Sequence, residues 1–154
     1  MIRLRILGEP ASKSNQRKLV TFGKGDDARP ALIKSKKALN YQRDALRQIP
    51  AWARQRLEGP VRVSIRVYYA SERPDLDPSV ILDCLQDRWK KVGDERMLIQ
   101  AGVVRNDRQF REQHFYHAID RVNPRAEIEI EPMAPQQVEI PIKAPKKELA
   151  QYPF

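Results

Sequence analysis

The sequence has few residues that cross-link or ligate: one cysteine, Cys84, and two histidines among 154 residues. A single cysteine excludes an internal disulfide framework and any cysteine-rich zinc site, and its apolar neighbours predict a small core residue. No apolar run approaches the ~20 residues of a membrane-spanning helix. The N-terminal run MIRLRILGEP has no signal-peptide core. We therefore expect a soluble, cytoplasmic protein with no membrane partner.

Acidic residues are the minority charge: 20 Asp and Glu against 29 Lys and Arg, a net charge of +9. Hydrophobic residues make up 41% and charged residues 32%, a composition too apolar for a disordered chain. The length fits one domain. Cationic excess favours a polyanionic partner, because contact with a phosphate backbone releases bound counterions. Nucleic acid is the partner that this balance favours, although small proteins can be basic without binding one.

Hydrophobic periodicity predicts three strands and two helices. The strands are residues 1–7, 60–70 and 126–132, where apolar and polar residues alternate. A helix is predicted over 35–49, with Ser35 as its N-cap and Pro50 ending it. A second begins at Pro78, with Asp77 as its N-cap. Its predicted buried face is Val80, Ile81, Cys84, Leu85 and Trp89.

The remaining segments are assigned from composition. Residues 8–20, GEPASKSNQRKLV, are predicted to form a loop, which either follows phosphates through Lys13, Arg17 and Lys18 or is simply solvated. Residues 21–30 are predicted to form a hairpin or mobile loop, and residues 90–98 a loop or insertion. Residues 111–122 are of mixed character, with strand as the leading assignment. Residues 133–154 are predicted to be an extended C-terminal tail, within which VEIPIKA can pair along a sheet edge.

The run RPDLDPSV, residues 73–80, places two aspartates between a strand and a helix. Residues i and i+2 of an extended segment share a face, so Asp75 and Asp77 are expected to point together. Two close carboxylates repel unless a cation lies between them or one is protonated, and oxygen ligands suit Mg²⁺ or Mn²⁺. The alternative is a turn in which Asp77 only caps a helix.

A firmly held metal needs a third acid from elsewhere in the chain. The candidates each have a simpler explanation, as a helix-surface or loop residue. They are Asp83, Asp87, Asp94, Glu95 and Asp107. The histidines His114 and His117, three residues apart, are expected to serve packing or phosphate contact more than metal binding.

Several of these segments together resemble the RusA family of Holliday junction resolvases. The matching features are DLD after a strand, an apolar helix containing ILDCL, and AGVVRNDRQF, in which Asn106-Asp107-Arg108-Gln109-Phe110 resembles the family's acidic dipeptide followed by Gln and an apolar residue. The N-terminal strand leading into GEPASKSN and the helix around NYQRDAL are also similar. The resemblance covers roughly residues 1–131.

The resemblance implies a small α+β domain, with a mixed or antiparallel sheet packed against two to three helices, that forms a homodimer. It implies a hydrolase of DNA recombination and repair: a Mg²⁺-dependent (or Mn²⁺-dependent) endodeoxyribonuclease that cleaves four-way junctions. Asp75, Asp77 and Asp107 correspond to its catalytic, metal-binding acids. We therefore divide the chain into an endonuclease domain, 1–132, and a tail, 133–154. Nucleic-acid contacts are predicted for Lys13, Asn15, Arg17, Lys18, Arg73, Lys90 and Lys91.

The sequence departs from the family beside the acid pair. Where the family has asparagine and a catalytic-site lysine, this chain has Pro78 and Ile81, and the other register puts Ser79 at the lysine position. The segment before Asp107 is about a dozen residues longer than usual, and Lys90 or Lys91 within it is a candidate replacement. Two further functions stay open: a non-catalytic protein that binds branched DNA, and a nuclease acting on flaps or forks.

Overall fold

The computed structural model describes residues 1–12 and 17–134, and for residues 17, 18, 32 and 34 the backbone alone. A four-stranded sheet in the order β1-β8-β4-β7 forms its centre. These strands are β1 (Ile2–Leu7), β4 (Val61–Tyr69), β7 (Phe110–Ile119) and β8 (Arg125–Pro132). Strand β8 pairs antiparallel with both β1 and β4, whereas β7 pairs parallel with β4. The predicted α+β class with a mixed sheet is confirmed.

One face of the sheet is buried because apolar residues alternate along its strands. Ile6, Ile65 and Ile128 are almost fully buried, as are Val63 and Val67. Helix α1 (Lys36–Gln48) and helix α2 (Ser79–Cys84) contribute to the same core. Ser35 caps α1 as predicted, its hydroxyl accepting a hydrogen bond from the Ala38 amide at 3.2 Å.

The opposite face of the sheet, its outer face, carries ion pairs between neighbouring strands. Arg3 pairs with Glu129 at 3.0 Å, and Arg62 reaches both Glu112 at 2.8 Å and Glu131 at 3.3 Å. Arginines and glutamates at facing positions stabilise neighbouring strands. Much of the positive charge on this face is therefore compensated within the protein itself.

Two hairpins project from this framework. Strands β2 (Arg17–Phe22) and β3 (Arg29–Lys34) form one around a short 3-10 helix, Gly25–Asp27. The hairpin predicted at 21–30 is therefore confirmed, but the loop predicted over 8–20 is wrong from Arg17 onward, where the chain is already strand.

Strands β5 (Arg88–Val92) and β6 (Glu95–Gln100) form the second hairpin. Its turn consists of Gly93 and Asp94, and Gly93 has a φ of 62°. A two-residue hairpin turn needs positive φ, which glycine adopts without a steric penalty. Of the loop or insertion predicted over 90–98, the loop is wrong, because the Gly-Asp pair is a turn between two strands.

Helix α2 is shorter than the sequence predicts. It spans six residues with Pro78 at the N-cap position, and Trp89 lies in β5 with 43% of its surface exposed. Val80, Ile81, Cys84 and Leu85 are buried as predicted. The helix ends at Cys84 because the Leu85 carbonyl accepts the amides of Val103 and Val104, which draws the chain back to the sheet.

The other predicted elements can be compared directly. Residues Ala51–Ala53 form a single 3-10 turn, and the strand favoured over 111–122 is β7. No helix within residues 1–12 and 17–134 is long and apolar enough to cross a membrane. Most of the predicted tail, including VEIPIKA, lies outside the described residues.

Candidate functional site

The loop that carries the acid pair is organised by one buried hydroxyl. Tyr69, the last residue of β4, is 1% exposed, and its hydroxyl donates to the Asp75 carbonyl at 3.1 Å. The same oxygen accepts the Asp77 amide at 3.2 Å. Burial raises the pKa of Tyr69, so the hydroxyl keeps the proton that it donates. The backbone between the two aspartates therefore bends around a fixed point.

Asp77 is held by its neighbours. Its Oδ1 accepts hydrogen bonds from the Ser79 amide at 3.0 Å and from the Ser79 hydroxyl, and its Oδ2 accepts the Ser12 hydroxyl at 3.0 Å. The carboxylate thus satisfies an amide of the first turn of α2, as a capping residue does. The prediction that Asp77 caps this helix is correct in function, but the cap position belongs to Pro78 and the helix begins one residue later than predicted.

Asp75 is exposed, and only its backbone is held by Tyr69. Within the described residues its carboxylate has no hydrogen-bond or ion-pair partner. Arg73 lies two residues earlier in the same loop and is also exposed. One aspartate of the pair is therefore structurally engaged, and the other presents its charge to solvent.

His117 and Glu9 also lie at this end of the sheet. The His117 ring packs 5.0 Å from the Tyr69 ring, and its Nε2 is 3.3 Å from the Pro74 carbonyl. Because a carbonyl can only accept, Nε2 carries the proton in this contact. Glu9 accepts the Ala70 amide at 3.3 Å. The place of His117 beside the acid pair cannot be predicted from the sequence, because it depends on β7 lying parallel to β4.

Asp107 lies at the opposite end of the sheet. It begins a 3-10 turn, Asp107–Gln109, that leads into β7, and Phe110 is paired with Val61 at the start of β4. Asp75 and Asp77 follow the other end of the nine-residue β4, and a strand of that length spans roughly 26 Å. The structure therefore does not bring Asp107 to the pair within one chain.

In the part of the chain that the structure describes, no three His, Cys, Asp or Glu side chains are close enough to hold a metal ion. The predicted triad of Asp75, Asp77 and Asp107 is accordingly not formed by a single chain. The physical reason is the parallel pairing: residues before one strand and residues after its parallel neighbour lie at opposite ends.

The motif around Asp107 has a structural explanation of its own. The Gln109 side chain accepts the Arg105 amide at 2.8 Å and donates to the Leu57 carbonyl at 2.6 Å, and the Asn106 side chain accepts the Arg108 amide at 3.1 Å. These contacts tie the start of β7 to the segment before β4. Asp107 itself is exposed.

The other acids considered as third ligands are elsewhere. Asp87 is bound by Arg56, and Asp94 and Glu95 are exposed at the tip of the second hairpin. Asp83 lies on α2 and is partly buried. None of them joins Asp75 and Asp77 in a three-residue cluster that could hold a metal, within the segments that the structure covers.

The predicted nucleic-acid contacts are only partly described. Lys13 and Asn15 fall outside the described residues, and Arg17 and Lys18 are described as backbone of β2. Lys90 and Lys91 are exposed on β5. The base of their hairpin is joined to the segment before β4, because Gln86 and Leu57 both form isolated bridges with Val104. Because Leu57 comes shortly before β4, the hairpin is rooted at the Asp107 end.

A comparison of the chain with protein-family models finds no match. A comparison with curated proteins finds none either.

Proposed function

We propose that this chain is a divalent-metal-dependent endonuclease that cleaves four-way DNA junctions, with Asp75 and Asp77 as metal ligands. The observation that carries the proposal is the loop around the Tyr69 hydroxyl. It fixes the backbone of both aspartates while leaving the Asp75 carboxylate exposed on a protein of net charge +9. An unpaired acid on a cationic protein is a candidate for binding a cation that a polyanionic substrate brings with it.

The two aspartates are the right type of ligand for Mg²⁺ or Mn²⁺, but two ligands are too few to hold the ion firmly. Asp75 and Asp77 offer only oxygen donors, which these hard cations prefer. The Asp77 carboxylate already accepts hydrogen bonds from Ser12 and Ser79, which orient it in the way that outer hydrogen bonds orient metal ligands. When bound there, the ion would polarise the scissile phosphate and lower the pKa of a bound water. A further donor has to come from outside the chain or from substrate.

A two-fold dimer supplies that donor in this proposal. The pair lies at one end of the β4–β7 strands and Asp107 at the other, so two antiparallel copies related by a two-fold axis would set Asp107 of each copy beside Asp75 of the other. Two-fold assembly also suits the substrate, because resolving a two-fold symmetric junction requires two symmetric nicks. The predicted homodimer thus becomes a requirement for activity.

The cation beside the acids differs from that of the resembled family. Ile81, at the family's lysine position in one register, is fully buried, so that position is part of the core. Arg73 and His117 are the cationic and titratable groups beside the loop. Lys90 and Lys91 are rooted at the Asp107 end and would reach the acids only across the dimer.

A specific observation also favours a second candidate, a non-catalytic protein that binds branched DNA. With Ile81 in the core and Pro78 beside Asp77, the chain keeps the acids but lacks the lysine that the resembled family has beside them. A nuclease with flap or fork specificity is the third. In each case the substrate would place the protein in the cytoplasm, as the sequence predicts.

The three candidates are separated by one cleavage experiment. A labelled four-way junction and a linear duplex of the same sequence are incubated with the protein and increasing Mg²⁺ or Mn²⁺. Paired nicks on the junction that disappear with Asp75→Asn support the proposal, and Asp26→Asn, at an exposed acid of the β2–β3 turn, is the matched control. Tight binding without cleavage at any metal concentration favours the second candidate. Equal cutting of forks or flaps favours the third.

A further inference from the structure

The second hairpin presents one face on which aromatic and cationic side chains alternate. Trp89 pairs with Leu98, and Lys91 pairs with Arg96, so these four residues share a face. Trp89 is 43% exposed, and the Arg96 guanidinium lies 5.5 Å from the centre of its ring. We call these four residues the tryptophan face.

The tryptophan face carries an electrostatic cost in the protein alone. Lys91 and Arg96 stand directly opposite each other on the two strands, and like charges at facing positions destabilise a strand pair. Neither residue has an ion-pair partner among the described residues. An anion placed between them would relieve this repulsion.

The tryptophan face borders a polar cleft. The cleft is lined by Trp89 and Arg96 on the hairpin and by Arg56, Arg105 and Asn106 on the facing segments. Arg56 is bonded to Asp87 and Arg105 to Glu58, so the walls are held in place by acids while Arg96 is left with uncompensated charge. A flat aromatic ring beside fixed guanidinium groups suits a planar base with its flanking phosphates.

The other side of the hairpin base is cationic too. A groove there is lined by Arg43 and Arg47 of α1 together with Arg88 of β5. In contrast, Arg3 and Arg62 on the outer face of the sheet are paired with glutamates of β7 and β8. Cationic side chains therefore flank the hairpin on both sides, which suits a nucleic-acid backbone passing over it.

We propose that the tryptophan face binds an unpaired nucleotide of DNA, with the base stacked on Trp89 and the flanking phosphates on Lys91 and Arg96. This deepens the proposed function and rests on it in taking DNA as the ligand, but it does not require cleavage. Bases that are free to leave a stack are found at branch points and in single strands and not in a continuous duplex. The same site therefore gives a physical reason for preferring branched DNA.

The experiment uses intrinsic fluorescence, because the chain has only two tryptophans, Trp52 and Trp89. Trp52→Phe leaves Trp89 as the sole emitter. The variant is titrated in EDTA with a single strand, a four-way junction and a linear duplex of matched sequence. We expect the single strand and the junction to quench Trp89, and the duplex to quench it much less.

Affinity measurements then assign the contact. Trp89→Ala should weaken binding of the single strand about tenfold, whereas Trp89→Phe should keep most of it. Arg96→Gln should lower the slope of log affinity against log salt by about one. Trp52→Phe is the matched control and should bind as the unchanged protein does. Thermal melting checks that each variant is folded.

The outcomes separate this inference from the proposed function. Unchanged affinity in Trp89→Ala, equal quenching by linear duplex, or equal quenching by poly-glutamate at the same salt would overturn the inference, and the last result would indicate an acidic protein partner. If the unchanged protein never cleaves a junction but Trp89→Ala binds the single strand more weakly, the inference stands and the nuclease proposal fails. If the protein cleaves a junction but Trp89→Ala binds the single strand as tightly as the unchanged protein does, the nuclease proposal stands and the inference fails.

Discussion

The Arg56 guanidinium closes on the Asp87 carboxylate, with Nη2 2.8 Å from Oδ2 and Nε within 3.2 Å of both oxygens. The Asp87 side chain is 1% exposed, and its Oδ1 also accepts the Gly102 amide at 2.8 Å. Arg56 has a φ of 50°, a backbone conformation that residues other than glycine rarely adopt. The pair therefore joins the segments before β4, before β5 and after β6.

Asp87→Ala should lower the free energy of unfolding by about 2–3 kcal/mol, because it leaves a cation and a buried amide without their acceptor. Urea unfolding measures the change. Glu58→Gln is the control: its pair with Arg105 is exposed and should contribute less than about 1 kcal/mol. Equal effects of the two substitutions would contradict a structural role for Asp87.

Gly102→Ala should destabilise the protein for a steric reason. A Cβ at this position would lie 2.3 Å from the Gln86 carbonyl carbon and 2.5 Å from the Asp87 amide nitrogen. Both are backbone atoms, so the segments have to separate, at a cost of about 2 kcal/mol or more. Gly93→Ala is the comparison, since a Cβ there meets open space and only its φ of 62° is strained. Gly102→Ala should have the lower melting temperature.

Tyr69→Phe should loosen the acid pair without unfolding the protein. The substitution removes the hydroxyl that holds the Asp75 carbonyl and the Asp77 amide, and loss of such outer contacts lowers metal affinity about 10–100-fold. Calorimetric titration with Mn²⁺, in the presence of junction DNA, measures this. Tyr68→Phe is the matched control, because Tyr68 points to the outer face and contacts Glu127. Unchanged Mn²⁺ affinity in Tyr69→Phe would contradict the positioning role.

Mixing two inactive variants should restore cleavage if the site is shared between copies. In a mixed dimer of Asp75→Asn and Asp107→Asn, one site combines the intact Asp75 of one chain with the intact Asp107 of the other. We expect single nicks at up to about half the rate per dimer, since one of two sites is whole. Mixing Asp75→Asn with Asp77→Asn should restore nothing, because both positions belong to one chain. Failure of the first mixture, with mixed dimers demonstrated, would refute a shared site.

Glu112 should make the free energy of unfolding depend on pH in the acidic range. A hydrogen bond from Arg62, followed by one from His114, lowers the pKa of Glu112 from 4.5 to about 2. A depressed folded-state pKa contributes stability that is present above pH 4.5 and is lost as the pH falls toward about 2. Glu112→Gln should therefore flatten the pH dependence of urea unfolding in this window. Arg3→Gln, on the same face but away from Glu112, should leave it unchanged.

The buried half of this fold was predictable from the sequence because its signals are local. The alternation of Val61, Val63, Ile65 and Val67 predicts β4, and Ser35 predicts the start of α1. The β5–β6 hairpin is not predicted because its strands are largely exposed and their apolar residues, such as Met97 and Ile99, do not alternate with polar ones as in a half-buried strand. Only Gly93-Asp94 was a usable signal, and it was assigned to a loop.

The arrangement of the candidate site could not be predicted, because it depends on strand direction. Asp75 and Asp107 are brought together or kept apart according to whether β7 runs parallel or antiparallel to β4, and no residue of either strand encodes that choice locally. The same parallel pairing places His117 beside Tyr69, 48 positions earlier in the chain. Gln109 illustrates a motif whose residues have a structural role. The motif predicts a catalytic neighbourhood, whereas the Gln109 side chain joins two backbone segments by hydrogen bonds.

The ion pairs on the outer face of the sheet also bear on how the molecule would approach the DNA proposed as its ligand. Arg3 and Arg62 form ion pairs with glutamates of their own sheet. Three other arginines lie on the side of the helix and the hairpin, namely Arg43, Arg47 and Arg96. Among these five arginines, the ones without an acidic partner in the described part of the chain therefore lie on the side with the hairpin. Such an uneven distribution of charge would turn an approaching polyanion before contact and raise the association rate at low salt. Replacing a glutamate such as Glu129 with glutamine would leave Arg3 without this partner. The charge asymmetry and its orienting effect would then decrease, while the proposed binding surface would be unchanged.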